Sequence, residues 1–424
     1  MHKLKLTEDW TSVVIGFLLI LAIVATSFFP ELPKFGPKEG WYGWSVLNTQ
    51  VFTTGNTMRL MMTFVYFLFF AMLGSWLMGK NMKALISAFP IIFVLSMAAQ
   101  FIASSASMKN LGLETVLFSL VIGLLIGNFF KLPEWFKTGM QSEFYIKIGL
   151  VMLGATILFG EIMKAGLYGI LQAVVVVISV WYFAFWIAKK LKVDEELSVM
   201  MASAVSICGV SAAIATAGAI KGDNKKLSYV ISLVLIIAIP MMILMPLIAR
   251  WMHLTPEVTG AWLGGSIDTT GAVVASGTIA GDIALKFSTI IKFSQNVLLG
   301  VAAFIISIFW AYRQPAGAEA KEKPTLKIIW TRFPKFVLGF ILTSLVFSFF
   351  ISPETAKAAG STLKSYQSLW FNLAFVCIGL ETRVKDLFKM DGGRPLYAFL
   401  IAQTFNVIVT LIMAYLLFGI FYNG

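Results

Sequence analysis

The sequence predicts an all-α, polytopic membrane protein of about 11–13 transmembrane helices. Three observations carry this. The chain is 58% hydrophobic and only 13% charged, apolar stretches of membrane-spanning length recur along all 424 residues, and Lys and Arg gather between those stretches. The net charge of +12 is therefore loop charge, and nucleic acid is excluded as a partner. Cys208 and Cys377 lie in runs of apolar or small residues and form neither a disulfide framework nor a zinc spacing. The two histidines, His2 and His253, sit at the N-terminus and in a short loop, which excludes histidine-based metal or acid–base chemistry inside the spans.

A crossing helix needs about 20 apolar residues, because its backbone groups must all be satisfied within the segment. Thirteen stretches qualify, at 11–29, 58–78, 82–103, 113–130, 142–160, 166–188, 195–220, 227–250, 257–280, 284–312, 333–352, 366–382 and 395–420. The first is bounded by Pro30 and Pro33 and has no small-residue cleavage motif, so it is expected to be a retained span. Trp41, Tyr42 and Trp44 in the following segment suit the headgroup interface. Lys147, one turn inside its span, is expected to snorkel, and Glu143, Glu161 and Glu381 to stand at span ends. The stretches 195–220 and 257–280 are rich in Gly, Ser, Thr and Ala, which predicts interrupted helices or a re-entrant hairpin.

The polar segment 315–324 (PAGAEAKEKP) has the composition of a flexible cytoplasmic linker. The expected organisation is an N-terminal membrane arm (1–106), a transporter core (107–313), a linker (314–331) and a three-helix C-terminal part (332–424). Lys and Arg are weighted to the N-terminal side of the membrane, chiefly through 313–335 and Arg383, Lys385, Lys389 and Arg394, which favours a cytoplasmic N-terminus.

Two internal matches suggest repeats. At an offset of 225, the stretch 149–154 falls on 374–379, Glu161 on Asp386 and Lys164 on Lys389. At an offset of 62, 202–219 falls on 264–281, pairing Gly209 with Gly271, Ala213 with Ala275 and Thr216 with Thr278. The two offsets do not belong to one tandem duplication.

The residues that carry chemistry are those that do not belong in a membrane. One cluster holds Ser203, Ser206, Cys208, Gly209, Ser211 and Thr216; the other holds Gly264, Gly265, Ser266, Asp268, Thr269, Thr270, Gly271, Ser276 and Gly277. A mid-span Gly weakens a helix by about 1 kcal/mol relative to Ala, and hydroxyls satisfy backbone groups released at a break. Half-helix N-termini at such a break suit anions, whereas C-terminal ends and unwound carbonyls suit Na⁺ or H⁺. The competing reading is close helix packing through small residues. Asp268 favours the site, since an unpaired carboxylate at the bilayer centre costs about 2.5–3.5 kcal/mol and calls for a proton, a cation or a basic partner. Lys292 is the expected partner, and Lys292, Gln295 and Asn296 share one helical face.

The stretch Ser206-Ile-Cys-Gly-Val-Ser-Ala-Ala-Ile-Ala215, the stretch Gly260-Ala-Trp-Leu-Gly-Gly-Ser-Ile267 continuing through Val273-Val-Ala-Ser-Gly277, Lys292, and Phe333-Pro-Lys-Phe-Val-Leu-Gly-Phe340 resemble the signature segments of a family of bacterial inner-membrane proteins labelled as sulfate exporters. Residues 121–128 and 374–380 share its pattern, and the likeness covers residues 113–420. The resemblance implies a secondary-transporter fold related to sodium/proton antiporters and bile-acid symporters, with inverted repeats and two crossing broken helices. Where that family carries His-Asp after Ser-Ile this chain has Asp268-Thr269, and where it carries a basic residue three after the lysine this chain has Gln295.

The function expected is secondary active transport of a small anionic solute, coupled to Na⁺ or H⁺, by elevator-like alternating access in the bacterial inner (plasma) membrane. Ser206, Cys208, Gly209, Ser211, Ser266, Thr270, Gly271, Lys292, Gln295 and Asn296 are assigned to solute, and Asp268, Thr269 and Ser266 to the coupling ion, with any Na⁺ held near Asp268. Beyond the solute and the lipid bilayer, a second copy of the chain is the candidate partner, and no cofactor is expected. A channel is the first rival, to be recognised by flux without saturation or ion coupling. A membrane-embedded enzyme is the second. Ser206, Cys208 and Ser211 have neither a histidine nor a second acid to activate them, so the chain is not expected to be an enzyme.

Overall fold

The computed structural model describes residues 5–25, 29–37, 39–111, 113–312, 326–382 and 393–422. These residues form an all-α fold, in which Trp41 and Ser105 make one isolated backbone bridge. The long helices are α1 Glu8–Ala25, α2 Thr54–Met78, α3 Met82–Ala103, α4 Thr115–Phe129, α5 Ser142–Leu153, α6 Phe159–Lys190, α7 Glu195–Ser203 and α8 Val210–Ile220. They continue with α9 Asn224–Trp251, α10 Pro256–Ser266, α11 Thr270–Ala280, α12 Asp282–Tyr312, α13 Lys335–Phe349, α14 Pro353–Glu381 and α15 Arg394–Ala414.

Among the described residues, α1, α2, α3, α6, α9, α12 and α15 with its continuation to Phe421 are long and apolar enough to cross a membrane. Four shorter apolar helices, α4, α8, α11 and α13, accompany them. Each of the thirteen apolar stretches read from the sequence is helical over most of its described residues. The largest boundary difference is α14, which starts at Pro353 because Ser352 caps a polar first turn, its hydroxyl accepting from the Thr355 N–H at 3.3 Å. The linker 315–324, three members of the basic cluster (Arg383, Lys385 and Lys389) and the repeat partners Asp386 and Lys389 lie outside the described residues.

The chain divides into two units, each assembled from separate stretches of sequence. Unit 1 comprises Met1–Phe159 and Lys335–Arg383. Its interior is aromatic: Trp370 lies 4.8 Å from Phe67 and 5.6 Å from Tyr145 between ring centroids. Lys147 reaches the acids in the first turn of α1. Its ammonium pairs with Glu8 at 2.8 Å and Asp9 at 3.0 Å, and Glu8 also receives Lys80 at 2.8 Å, so the first turn of α1 is tied to α5 by charge. Glu143 begins α5 and Glu381 ends α14, as expected of helix-end acids.

Unit 2 comprises Gly160–Pro334 and Val384–Gly424, and it holds both Gly/Ser-rich segments. Its apolar core includes Val180, Met200, Val230, Leu233 and Phe399. Asp194 caps α7 through the Leu197 N–H at 3.1 Å and pairs with Lys226 at 2.7 Å. Burial opposes ionisation of Asp194, but the Lys226 hydrogen bond, the Leu197 N–H and the Lys226 charge prevail and hold its carboxyl below the usual range. Small residues set the spacing nearer the site. A Cβ on Gly264 would fall 2.5 Å from the Ser288 carbonyl oxygen, so α10 and α12 approach at backbone distance.

Candidate functional site

Both Gly/Ser-rich segments are broken helices. In the first, α7 gives way to a wide π-type turn over residues 204–208, and Gly209 then stands at φ 63°, ψ −113°, a conformation that side chains resist, before α8 starts. In the second, Ile267 (φ −79°, ψ 129°) ends α10 and Thr269 (φ −97°, ψ 143°) caps α11, its hydroxyl accepting from the Ala272 N–H at 3.3 Å. The breaks touch, since a Cβ on Gly209 would lie 3.1 Å from the Cβ of Asp268.

The expected match of Gly209 with Gly271 is corrected here. Gly271 is buried in the first turn of α11, and the second break lies at residues 267–269. Ile267 and Thr269 adopt extended angles open to any residue, so that break needs no glycine.

A broken helix leaves carbonyls that must find donors, and buried side chains supply them. Gln295 on α12 donates through Nε2 to Ser206 O at 3.2 Å and Gly265 O at 3.1 Å. Asn406 on α15 donates through Nδ2 to Val205 O at 3.1 Å and Ser266 O at 3.2 Å. Gln403 adds a bond to Ser266 O at 2.8 Å, and Thr410 donates to Asn406 Oδ1 at 2.9 Å. On α6, Gln172 donates to Ala261 O at 2.9 Å, nearly two turns before the second break.

Asp268 and Lys292 are each only 1% exposed. Asp268 is the one carboxylate among the buried side chains of the described residues, as its sequence position implied. Lys292 does not meet it in a hydrogen-bonded ion pair. Its ammonium donates to Ile207 O at 3.1 Å and Gln295 Oε1 at 2.8 Å, while the Asp268 carboxylate meets no close donor and only the Gln403 amide reaches toward it. The Lys292 ammonium and the Gln403 amide are the two side-chain groups that favour a charged carboxylate there, against the cost of its burial.

The other assigned residues have separate places. The Ser206 hydroxyl bonds back to Ala202 O at 2.7 Å, Cys208 is buried in the first break, and Ser211 is exposed in the first turn of α8. The Ser266 hydroxyl is buried without a partner, and Thr270 Oγ1 accepts from Asn296 Nδ2 at 3.2 Å. The structure thus gathers Ser206, Gly209, Ser266, Asp268, Lys292 and Gln295 around the meeting breaks, with Asn296 and Thr270 one step along α12 and α11.

Gln172, Gln403, Asn406 and Thr410 were missed in the sequence. The signal for three of them was present: Gln403, Asn406 and Thr410 repeat at helical spacing within an apolar span, the same pattern that singled out Lys292, Gln295 and Asn296.

The chain is 40% identical over 354 residues to UPF0324 membrane protein RB9488 of Rhodopirellula baltica, covering 81% of this chain and 64% of that protein. It is 36% identical over 389 residues to a UPF0324 membrane protein of Nitratidesulfovibrio vulgaris, covering 88% and 66%. The chain therefore spans about two thirds of the length of these relatives. UPF0324 membrane protein NE0724 of Nitrosomonas europaea is 27% identical, with 99% of this chain and 96% of that protein covered. No solved structure matches the chain. The pattern described as conserved hypothetical protein 698 matches residues 87–399, across both broken helices and Lys292, and this multi-pass membrane protein belongs to that family.

Proposed function

We propose that the chain is a secondary active transporter of a small anionic solute, coupled to Na⁺ or H⁺ at Asp268, in the bacterial inner membrane with its N-terminus cytoplasmic. The observation that carries the reading is the meeting of two broken helices around a buried carboxylate that has no close donor and no hydrogen-bonded ion pair. A helix packed for stability alone has no need of either feature. The anionic solute is supported by the start of α8, where no side chain caps the first turn and Ser211 is exposed. Unit 2 carries every assigned residue, which suits it to be the body that moves in alternating access. The sulfate label of the resembling family makes sulfate one candidate among small mono- and dianions.

The test is uptake by vesicles reconstituted with the purified chain, using sulfate and a panel of small anions, with and without imposed Na⁺ and pH gradients. Saturable uptake of at least one anion, driven by one of the two gradients, is expected. Non-saturating flux indifferent to both gradients would make the chain a channel and overturn the proposal.

A further inference from the structure

At the two breaks, buried oxygen atoms gather near the Lys292 ammonium, two of them in contact with it. Lys292 is buried, yet its Nζ rests on two neutral oxygens, Ile207 O and Gln295 Oε1, instead of on the nearby carboxylate. The Asp268 carboxylate has no close donor and only the Gln403 amide reaches toward it, and the buried Ser266 hydroxyl two residues earlier has no partner. These oxygens belong to one locality. Gln295 reaches Ser206 O and Gly265 O, the neighbours in sequence of Ile207 and Ser266, and Gly209 lies against Asp268.

A carboxylate, a carbonyl, an amide oxygen and a hydroxyl form a hard, all-oxygen donor set, which suits alkali and alkaline-earth ions over softer metals. One buried carboxylate supplies one negative charge, so the ion that neutralises it is monovalent. The charged and titratable groups acting on Asp268 and Lys292 are those two themselves, from the link between α10 and α11 and from α12, together with Cys208 from the first break. The lysine stem has four rotatable carbons, so its head can leave these oxygens without movement of α12.

We infer that the two breaks form a Na⁺ site, built from Asp268, Ser266 Oγ, Ile207 O and Gln295 Oε1, in which the Lys292 ammonium is the resident competitor. Na⁺ and the lysine head exclude each other, and Na⁺ binds when Lys292 withdraws. This rests on the proposed role of Asp268 as the coupling residue and adds the identity of the ion and of its rival.

The experiment is thermal unfolding of the purified full chain in detergent, titrated with NaCl against choline chloride at constant ionic strength. It compares the parent with Lys292→Ala, Lys292→Gln and the double variant Lys292→Ala/Asp268→Asn. Ligand that binds only the native state raises Tm in proportion to its occupancy, and both single variants should half-saturate at a Na⁺ concentration at least about ten-fold lower than the parent. The double variant should lose the response. Equal half-saturation in parent and single variants overturns the competitor role, and a response surviving in the double variant overturns Asp268 as a ligand. A flat Na⁺ response in the single variants overturns the site. Lys292→Gln retains a donor for Ile207 O and carries the test if Lys292→Ala does not elute as a monodisperse species. No solute is used, so failure here leaves the anion reading standing, and failure of anion uptake leaves the Na⁺ site standing.

Discussion

Gln295 and Asn406 lie 1% exposed on different helices, and each joins the same two helix breaks with one amide nitrogen. Gln295 ties Ser206 O to Gly265 O, and Asn406 ties Val205 O to Ser266 O. The breaks are thus held at a fixed separation by two parallel bridges, which a pair of unrelated cavity-filling residues would not do.

The bridges should differ in worth. Gln295→Leu orphans Ser206 O and Gly265 O and removes the Oε1 that receives Lys292, whereas Asn406→Leu orphans Val205 O but leaves the Ser266 carbonyl accepting from Gln403 and the Thr410 hydroxyl free to turn to the backbone carbonyl one turn back. An unsatisfied buried group costs about 1–3 kcal/mol, reduced toward about 0.6 kcal/mol per bond where the membrane-embedded reference state finds other partners. Gln295→Leu should therefore destabilise by about 2 kcal/mol and Asn406→Leu by about 1 kcal/mol. Because both act on one junction, a double-mutant cycle by thermal unfolding should show non-additivity of at least about 0.5 kcal/mol. Strict additivity would mean that the bridges act independently.

Gly209→Ala should be among the most costly single substitutions in unit 2. The position combines a positive φ with a Cβ that would stand 2.7 Å from Val234 Cγ1 and 3.1 Å from Asp268 Cβ. Strain and overpacking together predict a loss of about 2–4 kcal/mol. Gly166→Ala, in α6 with nothing near its Cβ, should be neutral or stabilising by up to about 1 kcal/mol. A comparison of melting points tests both, and a tolerant Gly209 would show that the first break adjusts to a side chain.

Much of this architecture is legible in the sequence because a bilayer makes periodicity and polarity unambiguous. The apolar stretches gave the helices, and Asp268 and Lys292 stood out because charges inside spans are rare. The exact position of the second break was not legible. Ile267 to Thr269 is extended without a residue that demands it, and the sequence offered the more conspicuous Gly271 in its place. Nor was the partner of Lys292. Opposite charges in one membrane region suggest a pair, but carbonyls freed by a break compete for an ammonium, and the sequence does not say where those carbonyls point. The discontinuous units were equally hidden, since unit 1 draws α13 and α14 from beyond unit 2.

At the end of α7 that carries its cap, Asp194 offers a pH test independent of the site. Its carboxyl is held below the usual range, so its contribution to stability is present above the unfolded value of about 3.9 and is lost as pH falls through the folded one. Asp194→Ala removes the cap on α7 as well as the Lys226 contact, at a cost of about 1 kcal/mol near neutral pH. The gap in Tm between parent and variant should narrow below about pH 4. A gap that is constant from pH 7 down to pH 3 would assign the whole effect to helix propensity.

The decisive substitution for coupling is Asp268→Asn. It keeps nearly the same volume and removes the one buried carboxylate among the described residues, so the fold should survive. Two opposing effects on stability follow: a buried carboxylate with no close donor is costly, and relief of that cost favours the variant, whereas loss of attraction to Lys292 opposes it. Because the two effects oppose each other, Tm under choline chloride is expected to stay within a few degrees of the parent. The response to ions should change completely. Stabilisation by Na⁺ requires a carboxylate at this position and should vanish in Asp268→Asn, whereas any dependence of Tm on pH should change, because Lys292 is left without its counter-charge. Asp268→Glu, which restores the charge one methylene further out, should recover a weakened response. A well-folded Asp268→Asn protein that answers Na⁺ and pH as the parent does would make Asp268 structural and place the coupling residue elsewhere in the chain.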